Sequence, residues 1–312
     1  MWGVVLRQRQ EGEEALHTIF REAFRRRRGL SGPGHDCARV NPPTGAPLLV
    51  STDQLVLGVH AEEDVSPGQL ARKLLRRTLS DLAAAGAQPW AVIWTIAAPR
   101  EKGQAWMKRL ARAFLEEAEN FGCSVIGGDI SNSPAVVLTC TALGKEGRRR
   151  NPGRGGAKAG DWLCVTGRLG GAVQSGRHLK PEPRLTEGRA LVQRYRAKAM
   201  MDLSDGLARD LPRLLEASEV GAQIELDALP LSRGLKHNHE GWQAAVGEGE
   251  DYELLVALRP GQAKRALQDP LLKRIGFHII GEITAERGLR WLLDAKEYTL
   301  PLVGWGHDWN GS

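Results

Sequence analysis

Short polar motifs that contain an aspartate recur along the chain, each beside glycine, serine or threonine. They hold Asp36 (in GHD), Asp53 (STD), Asp81 (LSD), Asp129 (GGD), and Asp202 with Asp205 (DLSDG). Each stands where a strand is expected to end or a helix to begin, and carboxylates at strand ends converge on a crevice in α/β folds. Converging carboxylates repel one another unless cations lie between them, and hard oxygen ligands select magnesium or calcium. The motifs therefore predict a divalent metal site, where phosphates would complete the coordination of magnesium.

Each motif alone has a simpler interpretation. An aspartate in a turn is more often a cap or an Asx-turn than a ligand. Asp81 falls on or beside the buried stripe of a helix, where a neighbouring backbone or hydroxyl group could satisfy it. Gly127 and Gly128 add a second signal, since glycine lets backbone approach a ligand closely and exposed N–H groups suit phosphate oxygens. Five motifs in one chain favour the metal-and-phosphate interpretation.

The sequence lacks the common signatures of other nucleotide-dependent and hydrolytic enzymes. There is no G-x-x-x-x-G-K-[ST] loop, which argues against a Walker-type NTPase. There is no protein-kinase HRD with a downstream DFG, and Ser204-Asp205-Gly206 is a different motif in a different context. No G-x-S-x-G elbow or HExxH helix is present.

Strands alternate with helices around these motifs. We expect a short helix at 12–24, a buried strand at 48–53, a helix opening at Pro67, a long helix ending near Gly122 and a strand at 135–143. Residues 145–161 are basic and glycine-rich, as in a linker or a phosphate-facing loop. A second set of strands and helices follows, in which Pro212 predicts a helix that starts near Asp210 or kinks there. We therefore expect two α/β domains, residues 1–146 and 147–312.

Composition and charge exclude several classes of function. The 312 residues are 42% hydrophobic and 26% charged, as in an ordinary globular protein. No stretch approaches the roughly 20 apolar residues of a membrane span, and the N-terminus lacks a secretory signal, so we expect a cytoplasmic protein without a membrane partner. The net charge of +6 comes largely from the runs Arg25–Arg28 and Arg148–Arg150, which we interpret as solvated surface. With 5% aromatic residues a nucleic-acid partner is not expected, whereas an anionic small substrate fits.

The four cysteines form no CxxC pair. Cys37, Cys123, Cys140 and Cys164 are scattered, and three of them lie in apolar strand-like surroundings. Thiols in such places behave as small hydrophobes, so neither a disulfide framework nor a zinc ribbon is expected. Cys37 follows His35 and Asp36, but neighbouring side chains point apart and do not close a metal site. We interpret Cys37 as a packing residue.

The order of the motifs resembles the thiamine-monophosphate kinase family. The matching segments are GHDCARV, LLVSTDQLVLGVH, LSDLAAAGAQP, IGGDIS, GAKAGDWLCVTGRLG, MMDLSDGLARDL, GEGEDYELL and the terminal GWGHD. They cover the chain from about residue 30 to its end, in the family's order. That family belongs to a superfamily with aminoimidazole ribonucleotide synthetase and selenophosphate synthetase.

The resemblance implies a fold and a reaction. The fold would be α/β of the α+β type, with an N-terminal domain that forms a shared β-barrel in a homodimer and a C-terminal α/β domain behind it. ATP and thiamine monophosphate would lie between the domains. The reaction would be direct transfer of the γ-phosphoryl group of ATP to the phosphate of thiamine monophosphate, with several magnesium ions and no covalent intermediate.

The resemblance also assigns roles to individual positions. The implied magnesium ligands are Asp36, Ser51, Thr52, Asp53, Asp81, Asp129, Asp202 and Asp205. The implied ATP contacts are Gly128, Asp129, Arg154 and Ser204. The implied contacts to thiamine monophosphate are His60, Glu250 and Trp305. We expect Asp53, Asp129 and Asp205 to contribute most directly to catalysis, because phosphoryl transfer needs positioning and charge neutralisation more than a strong base.

Two other functions stay open from the sequence. One is a sister enzyme that uses ATP on another acceptor, although no Cys-Gly-Cys-Lys-like N-terminal motif is present. The other is a non-catalytic regulatory or nucleic-acid-binding descendant, which would be expected to have lost aspartates. The chain departs from the family's pattern at His35, at Thr78 and at Glu248. These departures affect the expected substrate pocket more than the expected metal ligands.

Overall fold

The computed structural model describes residues 30–31, 37–40, 45 and 47–300 of the chain. Five predictions therefore lie outside the described residues. They concern the helix at 12–24, the Arg25–Arg28 run, the departure at His35, the metal ligand Asp36 and the substrate contact Trp305.

Within the described residues, the first sheet has six strands. They are β1 (Leu30–Ser31), β2 (Ala38–Val40), β3 (Leu48–Val56), β4 (Gln88–Ala98), β5 (Ser124–Asn132) and β6 (Val137–Lys145). Their order in the sheet is β1-β2-β3-β6-β4-β5. Only β4 and β5 run parallel, joined by a helical crossover, and β5 forms one edge of the sheet. Two helices, α1 (Pro67–Ala84) and α2 (Gly103–Asn120), supply the apolar side chains that cover one face.

Local sequence signals explain both helices. Ser66 caps α1 in a reciprocal capping box with Gln69, and Pro67 occupies the first helical turn, where its missing N–H costs nothing. The predicted start of this helix at Pro67 is confirmed. Helix α2 ends before Gly122, whose φ of 66° provides the left-handed residue that terminates many helices. The predicted end near Gly122 is also confirmed.

The second sheet has seven strands in the part of the chain that the structure describes. They are β7 (Trp162–Thr166), β8 (Ala199–Asp202), β9 (Gly221–Glu225), β10 (Leu254–Leu258), β11 (Phe277–Thr284), β12 (Gly288–Leu293) and β13 (Lys296–Glu297). The order is β13-β12-β9-β11-β7-β10-β8, and only the β9–β12 pair is parallel. Five α-helices accompany it: α3 (Leu185–Gln193), α4 (Leu207–Ser218), α5 (His239–Gly247), α6 (Pro260–Ala266) and α7 (Pro270–Ile275). Short 3₁₀ turns lie at Arg100–Lys102, Arg177–Leu179 and Leu226–Ala228.

Helix α4 starts earlier than the sequence predicts. It begins at Leu207 after Gly206, which has a φ of 98°, and continues through Pro212. The prediction of a start near Asp210 is therefore wrong by three residues. Because Pro212 is the sixth helical residue, its ring removes a single hydrogen bond, while the N–H of Asp210 still bonds to the Gly206 carbonyl at 2.9 Å.

Helix α1 joins the two sheets. Most of its apolar residues belong to the core of the first sheet, but Ala83 and Ala84 pack in a cluster with Leu191 and Met200 of the second half. A Cβ added at Gly188 in α3 would lie 2.0 Å from the Ala83 carbonyl oxygen, so the two helix backbones touch. Helix α1 therefore fixes the position of one sheet relative to the other.

The architecture is a mixed α/β fold with two sheets and, among the described residues, seven α-helices. This confirms the expected mixed α/β class, whereas the expected β-barrel shared between two copies stays a prediction. The four cysteines are buried and form no disulfide, as predicted. Within the described residues no helix has the length and apolar character of a membrane span.

Candidate active site

One face of α1 carries the charged residues that organise the site. Lys73, Arg77 and Asp81 follow one another at intervals of four, so they lie on the same helical face. Ser80 is next to them on the side of the second sheet. The side chain of Lys73 is fully buried, and 13% of the Arg77 side chain is exposed. This polar face lies on an otherwise apolar helix.

Strand β3 presents Ser51 and Asp53 to this face of α1. The two side chains alternate with outward-facing residues along the strand. The hydroxyl of Ser51 donates a hydrogen bond to the Asp81 carboxylate. Asp53 Oδ1 lies 3.4 Å from Arg77 Nη2. The carboxylates of both Asp53 and Asp81, two of the predicted metal ligands, raise the pKa of Arg77, so both lie near its charge.

The second sheet contributes Asp202 at the end of β8. Its carboxylate accepts a hydrogen bond of 2.6 Å from the hydroxyl of Ser80 on α1. Asp202 is 122 residues away from Ser80 in the chain and only 5% exposed. Asp53 and Asp202, predicted ligands from the two halves of the chain, therefore both contact helix α1, which carries the third predicted ligand, Asp81.

A cleft of about 350 Å³ opens beside these groups. Its wall includes Gly58, Val59, His60, Ala61, Glu62, Lys73, Arg77, Val173, His178, Ser204, Asp205, Gly249, Glu250 and Tyr252. Lys73 Nζ is 2.6 Å from a Glu250 carboxylate oxygen and donates to the His60 carbonyl at 2.5 Å. The cleft thus brings together four residues predicted to contact substrate, nucleotide or metal: His60, Ser204, Asp205 and Glu250.

The loop that carries Glu250 is held in a strained conformation. Glu250 and Tyr252 have φ angles of 67° and 51°, in the left-handed region that favours glycine. The N–H of Glu250 donates to the Ser204 carbonyl at 2.7 Å, and the N–H of Tyr252 donates to the Leu203 carbonyl at 2.8 Å. Residues in such conformations cost about 1–3 kcal/mol each and cluster at functional sites. The loop is therefore fixed against the DLSDG segment.

The charges in the cleft are strongly coupled. Burial lowers the pKa of Lys73, and the Glu250 carboxylate only partly opposes this. Burial also acts to lower the pKa of Arg77, but the neighbouring Tyr252, Asp53 and Glu250 together hold that pKa above its usual value. Burial lowers the pKa of His178, which keeps its imidazole neutral. Cationic character in the cleft therefore comes from α1.

Asp205 stands at the cleft wall in a second charged group. One Arg213 nitrogen lies 2.7 Å from Asp205 and 2.9 Å from Asp210, and the Asp205 N–H donates to Asp210 at 2.9 Å. Burial, helped by the charge of Asp205, raises the pKa of Asp210 well above its usual value. Asp205 and Asp210 thus form a pair of carboxylates that share Arg213, with Asp205 partly exposed and Asp210 buried.

Strand β5 keeps Gly128 and Asp129 away from this cleft. The rows of the sheet run from Asp53 through Cys140 and Trp94 to Gly128, so three strand spacings separate the two ends. At about 4.8 Å per spacing this is roughly 14 Å. Asp129 is exposed on the next residue of this edge strand. A Cβ at Gly128 would lie 2.1 Å from the Trp94 carbonyl oxygen, so strand pairing already requires glycine there.

Two other predicted residues also lie outside the cleft wall. Arg154 belongs to a loop whose carbonyl accepts a hydrogen bond of 2.9 Å from Ser218, at the end of α4. Thr52 is on the opposite face of β3 from Ser51 and Asp53, and it pairs with Thr141 at a hydroxyl distance of 3.0 Å. Of the predicted residues, the structure therefore brings Ser51, Asp53, Asp81 and Asp202 together at α1 and places Asp205 in the cleft wall, whereas Thr52, Asp129 and Arg154 do not line that wall.

Comparison with known proteins identifies the family. Residues 34–145 match the family described as AIR synthase related protein, N-terminal domain, and residues 149–293 match the corresponding C-terminal domain. The thiamine-monophosphate kinase of Escherichia coli K12 is 35% identical over 302 residues, which cover 88% of this chain and 91% of that protein. The thiamine-monophosphate kinase of Synechococcus elongatus is 34% identical over 297 residues, covering 86% and 89%. The chain belongs to the thiamine-monophosphate kinase family.

A solved structure adds ligands to this comparison. It is described as AaThiL complexed with AMPPCP and TMP, and it matches with a TM-score of 0.79 at 28% identity. The match covers 95% of this chain and 96% of that one. The family resemblance predicted from the motif order is therefore confirmed over nearly the whole chain.

The donor set suits the magnesium that the family resemblance implies. Ser51, Asp53, Asp81 and Asp202 offer hard oxygen atoms, and the Arg77 cation already lies near two of their carboxylates, those of Asp53 and Asp81. Within residues 47–300 and the few described before them, no three acidic, histidine or cysteine side chains converge closely enough to hold an ion. The residues thus suit magnesium by their oxygen chemistry, but here their carboxylates contact Ser51, Ser80 and Arg77.

Sequence reasoning missed four residues of the cleft wall. Lys73, Arg77, His178 and Tyr252 line the cleft, and none of them was predicted. The sequence does contain a signal for Lys73 and Arg77, because their spacing from Asp81 places them on the same helical face. Charged residues on a helix are usually solvated, so this spacing indicates a site only once Asp81 has been assigned to one.

Proposed function

We propose that this protein phosphorylates thiamine monophosphate with ATP. A phosphate oxygen of thiamine monophosphate would attack the γ-phosphorus, the bond to the β-phosphate oxygen would break, and ADP and thiamine diphosphate would result. The observation that supports this most is the match over 95% of the chain to a structure described as holding AMPPCP and TMP. The cleft between the two sheets, with His60 and Glu250 in its wall, offers a place for the acceptor.

We also propose that magnesium assists this transfer. Bound near the transferring phosphoryl group, the ion would offset the negative charge of two polyanions and fix their alignment. Its proposed ligands are Asp36, Ser51, Thr52, Asp53, Asp81, Asp129, Asp202 and Asp205. Ser51 and Ser80 orient the carboxylates of Asp81 and Asp202 through their hydroxyl groups. Asp53, Asp129 and Asp205 are the proposed catalytic members of the set.

The remaining residues would bind and orient the two substrates. Gly128, Asp129, Arg154 and Ser204 are proposed for ATP, while His60, Glu250 and Trp305 are proposed for thiamine monophosphate. The hydrogen bond from the Val56 N–H to His60 Nδ1, at 3.0 Å, fixes the orientation of that ring. The ion pair with Lys73 likewise fixes Glu250 at the cleft wall. These contacts support pre-organised positions for both residues.

We propose that the active form is a homodimer with a shared β-barrel. Among the described strands β5 is an unpaired edge of its sheet, and such edges are normally covered or blunted. Its side chains Ile126 and Ile130 are 57% and 69% exposed, and Ile93 on the neighbouring strand is 39% exposed. Apolar side chains along an open edge favour pairing with a second copy. The proposed domains are residues 1–146 and 147–312, since the first sheet ends at Lys145 and the second begins at Trp162.

A coupled assay of ADP release tests this proposal. Purified protein with MgATP should release ADP when thiamine monophosphate is added, and ³¹P NMR should show the two phosphorus signals of thiamine diphosphate. Aminoimidazole precursors and selenide serve as the other acceptors of the superfamily. Release that one of these stimulates, and thiamine monophosphate does not, would assign the chain to a sister activity. Absence of stimulation by every acceptor would contradict catalysis.

A further inference from the structure

Arg77 occupies an unusual position among the cleft residues. Its side chain is 13% exposed, and its Nη2 atom lies 3.4 Å from Asp53. Its Nε and Nη1 atoms are buried and donate no hydrogen bond within the part of the chain that the structure describes. An arginine usually uses its fork of donors on one partner, so a guanidinium held mainly by surrounding charge needs a separate explanation.

Acidic groups face Arg77 from three elements. Asp53 faces it from β3, Asp81 from its own helix, and Glu250 with the Tyr252 hydroxyl from the loop after α5. Lys73 is the other cation on this helical face, and it is paired with Glu250. Arg77 cannot lose its proton under these conditions, so its charge is fixed. The guanidinium is therefore a permanent cation beside Asp53 and Asp81.

This placement gives the same carboxylates two possible counter-ions. Partly buried carboxylates without a cation repel one another and lose hydration, so Arg77 stabilises them when no metal is bound. A magnesium ion on Asp53 and Asp81 would lie close to the guanidinium and be repelled by it. The two cations therefore compete for the same oxygen atoms.

We propose that Arg77 is the built-in counter-ion of Asp53 and Asp81, which holds them in place without metal and lowers their affinity for free magnesium. This rests on the proposed function, in which these two aspartates are magnesium ligands. Magnesium would then enter the site efficiently only together with nucleotide, whose phosphates offset the repulsion from Arg77. Arg77 is thus a positioning residue that makes metal binding depend on ATP.

The test compares magnesium binding by variants in the absence of nucleotide. Arg77→Met removes the charge and keeps most of the length, whereas Arg77→Lys keeps the charge. Arg72→Met is the matched control, because Arg72 lies on the same helix outside the cleft wall, with its side chain 38% exposed and 3.8 Å from Glu117. Isothermal titration calorimetry with MgCl₂ alone gives the affinity. The melting temperature in EDTA, in MgCl₂ and in NaCl of equal ionic strength gives the stability.

The proposal predicts opposite effects on stability and on affinity. Arg77→Met should melt lower than the parent in EDTA, regain stability in MgCl₂ but not in NaCl, and bind magnesium about tenfold more tightly or better. Arg77→Lys should stay near the parent, and Arg72→Met should show neither effect. If Arg77→Met folds only poorly, refolding it in millimolar MgCl₂ tests the same claim, since rescue by magnesium is expected and absence of rescue contradicts it.

An Asp53→Asn variant separates this proposal from the proposed function. If Asp53→Asn weakens magnesium binding while Arg77→Met leaves it unchanged, the metal site stands and the counter-ion proposal is wrong. If no variant binds magnesium and Arg77→Met only raises the KM for thiamine monophosphate, Arg77 contacts substrate and the counter-ion proposal is likewise wrong. If magnesium binds equally to the parent and to Asp53→Asn, the proposed ligand set is itself contradicted.

Discussion

The two places where this chain concentrates its aspartate motifs differ in how they are built. Beside the cleft, Asp53, Asp81 and Asp202 come from both halves of the chain, are largely shielded from water, and contact Arg77, Ser51 and Ser80. At the edge strand β5, Asp129 is exposed, three strand spacings from Asp53. Similar aspartate motifs therefore lie in two environments: one is packed between the two halves of the chain, and the other is exposed at the edge of a sheet.

This difference shows what the residues beside the cleft and those on strand β5 each depend on. The cleft needs the two sheets to stay docked on α1, because Asp202 meets Ser80 only across that joint. Within the part of the chain that the structure describes, no further strand pairs with the outer edge of β5, and Asp129 is exposed there. In the dimer that we propose, a second copy would pair along this edge.

The largest expected effects come from Asp53→Asn and Asp129→Asn. Each removes one charge that would neutralise the transferring phosphoryl group, so kcat should fall by about 10²–10³ for either variant. If the two aspartates act across a dimer, mixing the inactive variants after dissociation should restore about a quarter of the parental activity, because half of the dimers then have one intact site. No recovery on mixing would mean that both residues serve the same protomer. Coupled assays of the separate and mixed variants measure this.

The contact between α1 and α3, which helps to hold the two sheets together, can be weakened at Gly188. Gly188→Ala would force a Cβ to within 2.0 Å of the Ala83 carbonyl oxygen, so we expect a loss of about 2–3 kcal/mol in the free energy of unfolding. Gly261→Ala is the control, because a Cβ there meets nothing within 4 Å. Urea denaturation gives both values, and sedimentation should show unchanged association through β5. Equal stability of the two variants would contradict the close approach of α1 and α3.

The residue next to Glu250 should make stability depend on pH. Burial raises the pKa of Asp251 to about 7, although the Gly170 N–H and Arg177 oppose this. The folded chain then binds this proton more tightly than the unfolded chain, whose carboxyl titrates near 3.8, so stability is lost as the pH rises from about 4 to 7. Relative to Asp251→Asn, the free energy of unfolding should fall by about 2 kcal/mol between pH 5 and 8. If the free energy of unfolding of the parent, relative to that of Asp251→Asn, rises or stays constant over this pH range, Arg177 keeps Asp251 ionised in the folded protein.

The smallest effect concerns Ser80. Ser80→Ala removes the hydrogen bond to the buried Asp202 carboxylate, which should cost about 1 kcal/mol of stability. Thr52→Ala, on the outer face of β3, removes a more exposed hydroxyl pair and should cost less. Denaturation of both variants in the same buffer measures the contrast. A larger loss of stability for Thr52→Ala than for Ser80→Ala would contradict the greater contribution expected of the buried hydrogen bond.

The sequence predicts the individual elements better than their assembly. The Ser66-Pro67 signal defines the start of α1, and the helical spacing places Asp81 beside the buried stripe, because both depend on local geometry. The sequence does not show that Ser80 meets Asp202, since that contact depends on the docking of two sheets across 122 residues.

The same limit explains the residues that sequence reasoning missed. Lys73 and Arg77 look like ordinary solvated helix charges until tertiary packing buries them beside Glu250 and Asp53. Gly128 shows the reverse, because a motif glycine expected at a ligand is already required by its approach to the Trp94 carbonyl. Burial and strand pairing are long-range properties, and a motif contains only short-range information.

A crystal structure with AMPPCP, thiamine monophosphate and magnesium would test the central claim most directly. The account predicts at least one magnesium ion bridging the β,γ-phosphates to carboxylate oxygens of Asp53 and Asp81 at about 2.0–2.1 Å, with Arg77 withdrawn from Asp53. Density that shows the nucleotide and its metal bound away from α1, with the Asp53–Arg77 pair intact, would contradict it.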